Sequence, residues 1–159
     1  MRLITLNGVK LLVYRNGMIL RFSDKVRGHH LKKGWSEVKG TINYCGYIII
    51  FINGKHFLKH RIVGYSFLGL DIDNPKQQID HIDRNRQNNN MNNLRIVSNQ
   101  ENSFNQTAKG YSKNGKRFQA QICFNNKRLN IGRFDTEEEA RNAYLQAKEK
   151  YHIIPEALN

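Results

Sequence analysis

The longest apolar run in this chain, Tyr47-Ile48-Ile49-Ile50-Phe51-Ile52, is six residues long, the size of one strand. A core must therefore be assembled from many short elements, and no segment approaches the ~20 residues that a helix needs to cross a bilayer. The short runs are punctuated by turn signals. Arg15-Asn16-Gly17 separates 10–14 from 18–22, and Asn53-Gly54 separates 47–52 from 55–58. Asn-Gly favours a tight hairpin because both residues tolerate positive φ, so the first third reads as β-rich. Residues 27–33, crowded with Lys, Arg and His and without pattern, read as a loop. Residues 59–68 place Ile62, Val63 and Phe67 at a weak helical period, and 71–74 before Pro75 read as a turn. The N-terminus lacks the apolar stretch of a secretory leader. Cys45 and Cys123 stand apart with no C-x-x-C pair, which argues against a disulfide framework and against a zinc module.

Composition enters through charge. The chain holds 26 Lys and Arg against 13 Asp and Glu, a formal +13. An excess of that size repels itself unless a polyanion is near, and nucleic acid is the common partner. The charge is also partitioned. Residues 1–59 carry 11 basic and 2 acidic side chains, 60–106 carry 5 of each, and 107–159 carry 10 and 6. Within the last stretch, 107–134 has 7 basic and no acidic residues. Basic flanks around a neutral centre predict phosphate contacts at both ends and a different task in the middle; solubility charge on exposed faces is the plain alternative.

Residues 85–105 hold nine asparagines but are not a low-complexity tract. Leu94, Ile96 and Val97 form a short strand, and Ser98-Asn99-Gln100-Glu101 is a capping box that opens a helix to about residue 105. After a linker at 105–110, Phe118, Ala120, Ile122 and Phe124 alternate with Arg117, Gln119, Gln121 and Cys123, a half-buried strand. Asn125-Asn126 turns the chain into a second strand over 127–134. Thr136-Glu137-Glu138-Glu139 is a second capping box. Ala140, Ala143, Tyr144 and Ala147 then line one side of a helix to about residue 151, small enough to lie close on a sheet.

The middle segment carries the chemistry. Gln78-Ile79-Asp80-His81-Ile82-Asp83 sets an acid beside an imidazole on a strand, and Asn93-Leu94-Arg95 and Glu101-Asn102 follow. A strand, loop, strand and helix in this order can bring the Asp80 carboxylate and the Asn102 amide oxygen to one hard cation such as Mg²⁺. Phosphodiester hydrolysis needs a metal at the leaving oxygen and a base for water, and His81 suits the base. Asp83 reads as a turn acid before Arg84-Asn85, His60 as a packed or phosphate-touching residue, and His29, His30 and His56 as basic-loop residues. Trp35, the single Trp, is expected to anchor the core.

The ordered set Asp80-His81, Asn93-Leu94-Arg95 and Glu101-Asn102, preceded by Gly46-Tyr47, Asn53-Gly54-Lys55 and His60-Arg61-Ile62-Val63, resembles the HNH endonucleases, specifically the phage and intron-encoded homing type. The resemblance spans roughly 44–106. It implies a ββα-metal (His-Me finger) core with His81 as general base, Asp80 and Asn102 as metal ligands, and Asn93 tying the loop to the strand. Asn102 stands where the family's last His falls, as in the H-N-N subgroup, which implies a site of two side chains completed by DNA phosphate.

Gly110-Tyr111, Arg117-Phe118-Gln119-Ala120-Gln121-Ile122, Ile131-Gly132-Arg133-Phe134 and Thr136-Glu137-Glu138-Glu139-Ala140 with Ala143-Tyr144 resemble the AP2 DNA-binding domain over about 109–152. Phe118 stands where many AP2 domains carry Trp. The resemblance implies a sheet laid in the DNA major groove, with Arg117, Gln119, Gln121, Arg128, Asn130 and Arg133 toward DNA. Arg and Gln suit bidentate contacts to bases there.

The expected architecture is α+β in three parts: a basic β-rich DNA-contacting arm over 1–58, an HNH catalytic core over 59–106, and a three-stranded antiparallel sheet with one helix over 107–159. The expected activity is Mg²⁺-dependent, site-preferring cleavage of double-stranded DNA. Mn²⁺ is expected to substitute and zinc is not expected. A monomer without membrane association is expected, in the cytoplasm of a bacterial host if the gene is carried by a phage or intron. The rivals are a non-catalytic AP2-type DNA-binding regulator with a degenerate HNH unit, and an RNA-binding or RNA-cleaving protein, which would need exposed aromatics for unstacked bases.

Overall fold

Asn-Gly turns start the fold earlier than the alternation of apolar residues suggests. In the computed structural model, which describes residues 1–24, 33–125 and 127–153, strands β1 (Arg2–Leu6) and β2 (Val9–Val13) pair antiparallel across Asn7-Gly8. Both turn residues have positive φ, 47° and 77°. Strands β3 (Ile19–Ser23) and β4 (Gly34–Glu37) extend this sheet in the order β1-β2-β3-β4. Its register puts Leu11, Val13 and Ile19 on the buried face. Leu3, Leu12 and Leu20 share the outer face with Lys10, Phe22 and Trp35. Trp35 is therefore not the core anchor expected of it. It is 42% exposed and meets Phe22 edge-on across the strand pair.

A second sheet follows the same logic: β5 (Thr41–Ile42), β6 (Ile48–Ile52) and β7 (Lys55–Leu58), with Asn53 and Gly54 turning the last pair at φ 45° and 87°. The Asn7 and Asn53 side chains exchange hydrogen bonds with each other's backbone, Nδ2 to O at 2.9 and 3.2 Å. Helix α1 (Lys59–Phe67), strand β8 (Gln78–His81), a single 3-10 turn at Met91–Asn93 and strand β9 (Leu94–Val97) come next, with β8 beside β9. One buried cluster joins Leu6, Leu11, Val13 and Ile19 of the first sheet to Ile50, Ile52, Ile62, Val63, Leu70, Ile79 and Leu94. Residues 1–58 thus share their core with the segment that carries Asp80 and His81. Of the loop expected at 27–33, residues 27–32, with His29 and His30, lie outside the described residues, as does Asn126.

By packing, the chain divides into two compact units, Met1–Ile96 and Val97–Asn159. In the second, helix α2 (Asn99–Phe104) is opened by the Ser98/Glu101 capping box. Strands β10 (Tyr111–Asn114), β11 (Arg117–Phe124) and β12 (Lys127–Phe134) form an antiparallel sheet in chain order. Helix α3 (Glu137–Tyr151) starts at the Thr136/Glu139 box and lies on that sheet. Phe104 is buried, stacked on His152 with ring centroids 4.0 Å apart and near Phe124 at 6.5 Å. Gly110 is required twice over. Its φ is +79°, and a Cβ there would fall 2.0 Å from the Tyr144 ring. The described residues are thus a mixed α+β fold of antiparallel sheets with few helices.

Candidate active site

Strand β8 is buried on both of its faces, and polar side chains are buried with it. Ile79, Asp80 and His81 are all nearly inaccessible. Two features seat the strand. Gly64 of α1 lets the helix come so close that a Cβ would lie 2.7 Å from Ile79 Cδ1. Arg61, three residues earlier, donates to the carbonyls of Ile72, Asn74 and Gln77 and so clamps the turn that leads into the strand.

A buried carboxylate needs a partner, since desolvating a lone charge costs several kcal/mol. Asp80 Oδ2 accepts from Arg95 Nε at 2.9 Å and from Arg95 Nη2 at 2.7 Å, across the β8–β9 pair. Sequence reasoning placed Arg95 within the motif and gave it no task. An arginine two residues along the neighbouring strand from Asn93 was the available signal.

His81 is held by a residue that sequence reasoning missed. Asn89 is buried, and its Nδ2 donates to the Gln87 carbonyl at 2.8 Å, which leaves its Oδ1 toward His81 Nε2 at 3.4 Å. A carbonyl oxygen only accepts, so this contact is a hydrogen bond in the tautomer that carries the proton on Nε2. Burial lowers the His81 pKa below the ordinary 6.5; the Asn89 contact and the charges of Asp83 and Asp80 oppose that, while Arg86 adds to it. At neutral pH the ring is uncharged and able to take a proton. Nothing in a run of nine asparagines marks Asn89. It is singled out by the turn at Gly17 in the first sheet, where a Cβ would lie 2.7 Å from the Asn89 carbonyl oxygen.

The asparagines themselves are a chain of short-range turns. Asn85, Asn88 and Asn90 each accept, through Oδ1, the N–H two residues on. Side-chain amides here do for the backbone what a regular ladder does elsewhere. Asn93 donates from Nδ2 to Asp83 Oδ1 at 2.8 Å and to the Asn88 carbonyl at 2.9 Å, and its Oδ1 accepts from the Asp83 N–H. Asp83 is exposed and also accepts from Asn88 and from the Asn85 N–H. The hydrogen bond from Asn88, chiefly, holds its carboxyl below the usual range. It is a turn acid.

Behind His81 lies a second imidazole. His60 and His81 meet nearly at right angles with centroids 5.0 Å apart, and Tyr47 touches both at 5.0 and 6.0 Å. The Arg86 guanidinium stacks on Tyr47 and donates to the Cys45 carbonyl. Burial, then the proximity of His81 and Arg61, lowers the His60 pKa to about 3.

Asp80, His81 and Asn93 thus belong to the first unit. Asn102 belongs to the second, on the first turn of α2, where its N–H donates to the Ser98 carbonyl at 2.9 Å. Also in the second unit, the register of β10, β11 and β12 puts Arg117, Gln119, Gln121, Arg128, Asn130 and Arg133 on one face, opposite the Ala120 and Ile122 side that meets α3. Gln119 donates to Asn130 at 3.3 Å, and Arg117 pairs with Asp135 at 2.9 Å in solvent. Between Ala120 and Gln121 the register slips by one residue, a bulge that keeps Asn130 opposite Gln121. Its effect is local twist.

Residues 57–104 match the family model described as HNH endonuclease, a stretch that includes Asp80, His81, Asn93 and Asn102. Among solved structures, one titled "DNA binding and cleavage by the HNH homing endonuclease I-HmuI" aligns at 22% identity and a TM-score of 0.48, over 82% of this chain and 77% of that one. No curated protein matches the sequence.

HNH nucleases use a divalent metal, commonly Mg²⁺, and the donors here decide whether one fits. Among the described residues no three His, Cys, Asp or Glu side chains gather as a closed ligand set. The Asp80 carboxylate and the Asn102 amide oxygen are each hard donors, the kind that suits an ion which keeps several waters and takes further ligands from substrate phosphates.

Proposed function

We propose that the chain is a site-preferring, homing-type DNA endonuclease that hydrolyses phosphodiester bonds with one divalent metal, Mg²⁺ or Mn²⁺. The observation that carries the reading is the buried Asp80–His81 pair inside the stretch that matches the HNH endonuclease family model, with His81 uncharged and its Nε2 in contact with Asn89. Asp80 and Asn102 are the proposed protein ligands, a set taken from the ordered motif. A divalent ion held by these two side chains would supply positive charge at the scissile phosphate and its leaving oxygen. His81 Nδ1 takes a proton from the attacking water. Asn89 keeps the Nδ1 lone pair available by holding the opposite ring nitrogen. Arg95 holds Asp80 in one orientation and compensates its charge in the protein interior.

Double-stranded DNA is the proposed partner of a monomer, with residues 1–58 supplying a basic arm and 107–159 an AP2-like module. The sheet with one capped helix and the six polar side chains on its open face support that module. Arg117, Gln119, Gln121, Arg128, Asn130 and Arg133 are the proposed DNA contacts, through base edges and phosphates. The test is supercoiled plasmid with Mg²⁺. Conversion to nicked or linear product, abolished by chelator, supports the reading, and an unchanged plasmid at low salt rejects it.

A further inference from the structure

Two buried polar groups of the first unit have no use in the reaction above: Ser66, whose hydroxyl donates to the Ile62 carbonyl, and His60. His60 is 5% exposed, and its Nδ1 is buried with no hydrogen-bond partner among the described residues. An unpaired buried polar atom costs ~1–3 kcal/mol, so a phenylalanine of similar shape would serve stability better at this position. The imidazole is retained where a purely structural side chain would not be polar. Among the described residues its ring neighbours are Tyr47 and His81, and it meets the His81 ring at 80° and 5.0 Å.

We propose that His60 is a positioning residue for His81: its polar imidazole, and not merely a ring of that size, sets the orientation in which His81 meets its water. The proposal rests on the reading of His81 as the base. His60 starts helix α1 beside Arg61, whose clamp on the turn before β8 ties both histidines to one rigid frame. Packed behind His81 and inaccessible, His60 does not touch substrate. A displacement of about 1 Å in a catalytic group can cost ~10²-fold in rate, so a polar neighbour that fixes the orientation of one ring is able to matter on that scale. Its uncharged state fits the role, because burial keeps a second cation away from His81.

The experiment compares full-length wild type, His60→Phe, His60→Asn and His81→Ala. Thermal melting, DNA affinity and single-turnover cleavage at saturating protein with Mg²⁺ are measured separately. His60→Phe is expected to melt at or above the wild-type temperature and to bind DNA equally, yet to cut about 10- to 100-fold more slowly. Its His81 ring resonances should shift and broaden as the ring samples more than one orientation. His60→Asn, which keeps a polar nitrogen, should recover part of the loss. A His60→Phe protein that cuts at the wild-type rate, or whose affinity falls in step with its rate, overturns the proposal. Should neither variant fold, the wild-type His81 resonances decide: through-space contacts to the His60 ring and one fixed ring orientation support it, and a His81 ring that samples several orientations overturns it. If His81→Ala itself cuts normally, the reading of the base has failed instead.

Discussion

The two units of this chain treat polar side chains in opposite ways. In Met1–Ile96 the interior contains His60, Ser66, Asp80, His81 and Asn89 among its aliphatic residues. In Val97–Asn159 the buried described residues are Val97, Phe104, Ala120, Ile122, Ala140 and Tyr144, while arginine, glutamine and asparagine are spread over one open sheet face. Burying polar groups costs stability and is tolerated where they are paired or used. Displaying them on a rigid sheet costs little and leaves them free to meet a ligand. On the function proposed above, the contrast separates His81 and Asp80 with their buried supports in the first unit from the proposed DNA contacts of the second, and it can be broken from either side.

The largest effect is expected at Asp80. Asp80→Ala should reduce cleavage by more than about 10³-fold and, by leaving Arg95 partly buried without its carboxylate, destabilise the first unit by about 3 kcal/mol. Adding Arg95→Met should return much of the stability and none of the cleavage, as read by denaturant melts and a plasmid assay on the same preparations. Recovery of cutting in the double variant would show that Asp80 acts only through its ion pair.

Next comes Gly110→Ala. The new methyl meets the Tyr144 ring in a left-handed backbone, and the combined cost is about 3 kcal/mol or more. Hydrogen exchange should show protection lost in β10, β11, β12 and α3 and retained in β1, β2 and β3. Uniform loss would mean that the two units do not fold as separate bodies.

The third effect is a pH dependence of stability confined to the first unit. His60 has a folded pKa near 3 against an ordinary 6.5, so the unfolded chain takes up the proton first as pH falls. Stability should be flat above about pH 7 and lost progressively as pH drops through 6.5 toward 3. His60 alone accounts for about 2 kcal/mol by pH 5. His81, also lowered by burial, adds in the same direction. His60→Phe should flatten this part of the curve in equilibrium denaturation at pH 8 and pH 5; an equally steep curve would place the titration elsewhere.

The smallest effect is electrostatic. In the full-length protein, Arg117→Ala with Arg128→Ala and Arg133→Ala should lower the slope of log affinity against log salt by about two to three units, near 0.9 for each phosphate contact removed. Cleavage at low salt should persist. An unchanged slope would remove the sheet face from the interface.

Much of the second unit was legible because its signals are local. Alternation over 117–124 and the Thr136 and Ser98 capping boxes each specify structure from a few neighbouring residues. Helix α1 was legible from its period and β8 from its apolar residues. Strand β1 was not, although Asn7-Gly8 is a hairpin signal. Leu3, Ile4 and Leu6 put apolar residues on both faces, and a sheet with one covered and one open apolar face does not alternate. Trp35 misled for the same reason. Asp80, His81, Asn93 and Asn102 entered the candidate site as a spacing, and the stretch that matches the family model covers them. Asn89, Arg95 and the His60–His81 contact were not legible, because each depends on long-range packing: Gly17 on Asn89, β9 on β8, α1 on Ile79. The separation of 1–58 from 59–106 by charge likewise has no counterpart in the core, which both share.

The central claim is that His81 is the base of a DNA-cutting site and not a packed histidine. Single-turnover cleavage by His81→Ala, at protein and Mg²⁺ concentrations where DNA is fully bound, tests it most directly. The account predicts a rate lower by ~10²–10⁴ with wild-type DNA affinity. Cleavage at the wild-type rate by a fully bound, folded His81→Ala protein would contradict it.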